Sequence, residues 1–125
     1  MEFKIDTKEN YTHIRPKNEV LDANMAAGLT EKCTELSEAG SQNFLIDLGA
    51  CQSAEPMAFE PLALLHETCY SNGQSIVFTG LQPAVSQTIK EEQMESAINI
   101  APTEIEAIDI ISMEILERDL FNEES

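Results

Sequence analysis

Two short apolar runs, Phe44-Leu45-Ile46-Asp47-Leu48 and Ser75-Ile76-Val77-Phe78-Thr79, most narrow what this chain can fold into. Each is about the length of a strand and lacks the polar alternation of a half-solvated one. Both therefore read as central strands buried on two faces, which requires helices on both sides of a sheet. The flanking segments supply those helices. Met25, Leu29, Cys33 and Leu36 form one stripe, which Asp22 or Asn24 can cap and Gly40 can end. Leu62, Leu64, Leu65 and Cys69 mark a second helix, closing at Asn72-Gly73. Pro83 suits the first position of a short third helix carrying Val85 and Ile89. Thr103-Glu104-Ile105-Glu106 is a capping box, with Ile105, Ile108, Ile111 and Ile115 as the core stripe of a last helix ending near Arg118 or Asp119.

Three further strands are legible. Phe3 and Ile5 alternate with Lys4 and Asp6, and Tyr11–Arg15 follows, stopped by Pro16, close enough to pair with it as a hairpin. Ala97-Ile98-Asn99-Ile100 reads as a last short strand. The order ββαβαβαβα implies an α/β fold, with a mixed, mostly parallel sheet of about five strands and about four helices. The length of 125 residues fits one domain, expected over residues 1–119, with a short acidic tail at 120–125.

Charge narrows the partners. With 23 acidic and 7 basic residues the net charge is −16, a surface that repels nucleic acid and anionic lipid. No apolar run approaches the roughly 20 residues of a membrane span, and the N-terminal residues lack the apolar core of a signal peptide. Cys33, Cys51 and Cys69 are odd in number and form no C-x-x-C, which reads as three reduced thiols in a cytoplasmic protein.

The chemistry-bearing residues do not assemble into a catalytic pattern. His66 and Cys69 share a helix face, but nothing in the sequence completes a four-ligand zinc set. Cys51, following a central strand, is the cysteine expected nearest the surface and the one candidate for a reactive thiol. Pairs such as Glu60 with Glu67, or Glu91 with Glu92, arise by chance in so acidic a chain. No G-x-x-x-x-G-K-[ST], G-x-G-x-x-G or G-x-S-x-G is present. The expectation is a non-enzyme without a metal or cofactor.

Several segments, in order, resemble the STAS domains, the family of anti-sigma-factor antagonists. They are Val20-Leu21-Asp22, Asn43–Leu48, Ser75–Val85, Ala101–Ile108 and Met113–Leu120. The resemblance implies a protein-binding module in bacterial partner switching. Its partner would be an anti-sigma factor, a serine kinase or another STAS protein, with a homodimer possible; the alternative is a scaffold paralogue that assembles other STAS proteins. Family members carry Asp-Ser-Ser-Gly between the central strand and the second helix, and a kinase phosphorylates the first serine. The matching residues here are Glu55, Pro56, Met57 and Ala58. Pro56 has no hydroxyl, and Ser53 lies three positions early. A phosphate would add nearly two charges and three acceptor oxygens at this helix start, which Glu55 imitates poorly.

The partner-binding loop is thus expected at Glu55, Pro56, Met57, Ala58 and Phe59. Pro61 lies five residues after Pro56 and cannot occupy a helix interior without losing a hydrogen bond and crowding the carbonyl of Met57. The second helix should start late or kinked, near Pro61, leaving residues 50–60 irregular and exposed. Met57 and Phe59 would then be available as apolar contacts, unless they tuck into the core.

Overall fold

The structure, a computed structural model, describes residues 2–124. In chain order the strands are β1 (Phe3–Thr7), β2 (Thr12–Pro16), β3 (Val20–Leu21), β4 (Asn43–Asp47), β5 (Ser53–Ala54) and β6 (Ser75–Thr79). The helices are α1 (Ala23–Glu38), α2 (Phe59–Ser71), α3 (Pro83–Glu91) and α4 (Glu104–Glu124). β1 and β2 form the antiparallel hairpin, with Ile5 opposite Ile14. β2, β4 and β6 then run parallel, in the order β1-β2-β4-β6. β3 and β5 make a separate parallel pair. The expected mixed α/β architecture is therefore present, the sheet divided in two.

Alternation along the strands explains why β4 and β6 carry such continuous apolar runs. Phe44, Ile46, Ile76 and Phe78 point to one face, packed with Ile14 and with Met25, Leu29, Leu62 and Leu65 of α1 and α2. Leu45 and Val77 point to the other, where Ala107 and Ile111 of α4 cover them. The Asp22 carboxylate caps α1 by accepting the Met25 N–H at 2.8 Å. The Thr103 hydroxyl accepts the Glu106 N–H at 3.2 Å, one limb of the capping box.

Three expectations need correction. Ala97–Ile100 is no strand: it touches the β6 edge at one bridge, Phe78 with Ile100. Ala101 still donates to the Phe78 carbonyl at 2.9 Å, but Pro102 follows with no N–H to continue a ladder. Ile105 is exposed rather than core, because it lies two residues, about 200° of helical rotation, before the inward Ala107. α4 runs to Glu124, so residues 120–124, expected as a tail, are helical; Leu and Glu are good helix formers.

Arg118 fastens this long helix. Its guanidinium donates to Ser75 Oγ and to Asn43 Oδ1, each at 2.8 Å. At the same end of the sheet, Tyr70 donates to Glu114 Oε1 at 2.7 Å and accepts from Asn99 Nδ2 at 2.6 Å. Among the described residues no helix is long and apolar enough to cross a membrane.

Candidate functional site

The segment from the end of β4 to the start of α2 begins at Asp47. Its Oδ1 accepts the Gly49 N–H at 2.8 Å, while Oδ2 meets Arg15 Nη1 at 3.2 Å. Nε2 of His13 lies 3.7 Å from Asp47 Oδ2 and 3.4 Å from Glu104 Oε1. Gly80, with φ +75°, leaves room for this carboxylate: a Cβ there would fall 2.5 Å from Asp47 Oδ1. The Gln82 amide donates to the Gly49 carbonyl at 3.0 Å. The first turn of the loop is therefore held from β2, β4 and the start of α3 at once.

The rest is fastened to Glu19 and β3, which corrects the expectation of an irregular segment over 50–60. Gln52 N and Ser53 N donate to the Glu19 carbonyl at 2.7 and 3.3 Å, and Glu55 N donates to Leu21 O at 2.8 Å. The start of α2 is delayed, as the proline pair requires. Pro56–Ala58 forms a 3-10 turn, with Ala58 N bonded to Glu55 O, before α-helix begins at Phe59. Pro61 then falls in the first turn of α2, where a missing N–H costs nothing. Regular helix begins slightly before Pro61 because the 3-10 turn absorbs the mismatch.

The structure divides the five candidate residues. Glu55, Pro56 and Met57 are exposed, Met57 by 77%. Ala58 and Phe59 are buried, so Phe59 is a core residue and not an available contact. Its side chain fills the space under the loop, where an aromatic ring gains most from leaving water. Cys51, expected near the surface, is fully buried in the same cluster. Burial is the main cause that pushes its thiol pKa up, against the opposing effect of Arg15, so it is a poor nucleophile. Ser53 is exposed in β5.

Two apolar members of this surface were not picked out by pattern. Val20 is 37% exposed and pairs with Ser53 across the small sheet. Leu64, one of the apolar residues that mark α2 in the sequence, is 63% exposed. It follows Glu60 by four residues, so the two share the outward face of α2. The signal was available in the apolar pattern: Leu62, Leu65 and Cys69 already complete an inward stripe. The loop thus presents a fixed carboxylate, Glu55, among apolar side chains on a rigid backbone. That arrangement can bind a partner's surface and contains no paired nucleophile and base.

Elsewhere, His66 stacks against Tyr70 with ring centroids 4.6 Å apart, and burial is the largest cause lowering its pKa. Among the described residues no three His, Cys, Asp or Glu side chains converge as metal ligands would.

A sequence model described as the STAS domain matches residues 2–107. A search of curated proteins gives no match. Among solved structures, an anti-sigma factor antagonist from Mycobacterium paratuberculosis is similar with a TM-score of 0.73 and 14% identity, over 89% of this chain and 93% of that one. RsbS of Moorella thermoacetica is similar with a TM-score of 0.72 and 18% identity, over 94% and 99%. The anti-sigma factor antagonist SpoIIAA in its unphosphorylated form gives 0.68 and 14%, over 89% and 96%. At these identities the likeness is one of fold.

Proposed function

This chain belongs to the STAS domain family, and from that we propose that it is a non-catalytic protein-binding module acting as an antagonist-like component of a bacterial partner-switching pathway. The partner, an anti-sigma factor or serine kinase, docks on the exposed part of the loop, Glu55, Pro56 and Met57, with Val20 and Leu64 beside it. The observation that supports this most is Met57. A methionine 77% exposed on a hydrogen-bonded loop lies at a position that the resemblance matches to the family's switch motif. Flexible, polarisable Met side chains suit such docking surfaces. Pro56 removes the hydroxyl that a kinase would modify, so binding is not switched off at that position.

The test uses the whole chain, immobilised, and its Met57→Glu variant, exposed to a bacterial lysate with bound proteins identified by mass spectrometry. An anti-sigma factor or kinase retained by the parent and at least tenfold less by Met57→Glu is the expected result. Equal retention by both, or recovery of STAS paralogues alone, overturns the proposed docking. Phosphopeptide mapping after incubation of the complex with ATP should find no phosphate on residues 50–60; stoichiometric phosphate on Ser53 would reject the loss of switching.

A further inference from the structure

On the face of the sheet opposite α1 and α2, α4 presents a second surface that the loop does not explain. Its inward side is settled by Ala107 and Ile111. Its outward side carries Ile105, Met113, Leu116 and Leu120, exposed by 73, 60, 59 and 52%. Met113, Leu116 and Leu120 follow the three-then-four spacing of heptad positions a, d and a, a seam about 10 Å long on the helix. Asp109 lies on the same line, between Ile105 and Met113.

The flanks of the seam identify what fits it. In that register Glu117 occupies position e and Asp119 position g, and both are exposed. The one basic residue of α4, Arg118, is turned inward to Ser75 and Asn43 and cannot neutralise them. A second copy would set acid against acid along both edges, in parallel and antiparallel pairings alike, and would bury Asp109 against an equally acidic helix. An anionic lipid surface is repelled for the same reason.

We propose that the outward face of α4 is a docking site for a basic amphipathic helix of another protein. That helix places apolar residues against Met113, Leu116 and Leu120, and Lys or Arg against Asp109, Glu117 and Asp119. Apolar burial supplies the attraction, and the charges select the partner and speed its approach. This surface is independent of the Glu55–Met57 loop, and it can be occupied whether or not the loop is.

The experiment measures fluorescence anisotropy of labelled synthetic peptides titrated with the intact chain at 150 mM salt. One peptide is a helix with Leu at a and d and Lys at e and g. A second has the same composition scrambled out of register, and a third carries Glu at e and g. The expected result is binding of the first at least tenfold tighter than either control. Leu116→Glu/Leu120→Glu should abolish it. Glu117→Lys/Asp119→Lys should weaken it at least tenfold and admit the Glu peptide. Because all four positions are exposed, circular dichroism should show each variant folded. Binding no better than the scrambled peptide, binding unaffected by either double variant, or self-association of the parent chain that Leu116→Glu/Leu120→Glu dissolves would each overturn the proposal.

Discussion

Asp47 and Gly80 show how one residue's shape fixes another's position. The carboxylate organises the first turn of the loop between β4 and α2 only because Gly80 has no side chain at that point. Gly73 is also left-handed, at φ +72°, but faces open space. Gly73→Ala should therefore cost only the backbone strain, about 1 kcal/mol. Gly80→Ala adds a collision with Asp47 and should cost about 3 kcal/mol. Urea denaturation of the two variants measures the difference; equal costs would mean that Asp47 moves aside freely. None of this was legible beforehand. The apolar run revealed β4 but could not show that its one carboxylate, Asp47, reaches Arg15 on β2, since the two are 32 residues apart.

At the scale of elements, Arg118 ties the second half of α4 to the starts of β4 and β6. Arg118→Ala removes two charge-assisted hydrogen bonds and leaves the Asn43 and Ser75 side chains short of a donor. The expected loss is about 2 kcal/mol, with amide exchange in the last two turns of α4 accelerated more than in α1. Apolar runs located the central strands well: β6 matches the run Ser75–Thr79 residue for residue. Periodicity failed for β3 and β5, since two-residue strands have no period to detect. Position after a strand also misplaced Cys51, whose burial follows from the loop folding back toward Glu19 and β3, a tertiary event with no local pattern. The proline pair was more informative, because a missing N–H constrains the backbone whatever the surroundings, and the delayed start of α2 follows from it. Within the candidate site, this constraint exposed Pro56 and Met57 as landmarks but could not decide that Phe59 turns inward.

For the whole molecule, pH sensitivity follows from what burial does to four acids. The thiols of Cys33, Cys51 and Cys69 and the phenol of Tyr70 are all pushed up, chiefly by burial, that of Cys69 to about 11. The unfolded chain releases these protons near their ordinary values, 9.0 for the thiols, and the folded chain holds them longer. Stability is thus intact below about pH 9 and falls as pH rises beyond it. His66 acts at the other end: its pKa is lowered in the fold, so stability declines as pH drops through its ordinary 6.5. Thermal unfolding between pH 5 and 10.5 should show a plateau near neutrality with both shoulders. A profile still flat at pH 10.5 would contradict the buried thiols. Association with a basic partner should also slow between about 50 and 500 mM salt, as the field of the −16 surface is screened; rates independent of salt would assign docking to apolar contact alone.

The covering of Leu45 and Val77 by Ala107 and Ile111 also sets an order in time. Synthesis runs from the N-terminal side to the C-terminal side, so both strands, the hairpin and the first three helices leave the ribosome before α4 does. At about 5–20 residues per second, the sheet's second face stays bare for seconds while its lid is still being made. Until then the nascent chain carries an apolar surface on an otherwise complete sheet, a natural ligand for a chaperone and a hazard if translation stalls. The completion of α4 thus decides when, as well as whether, this sheet face is closed.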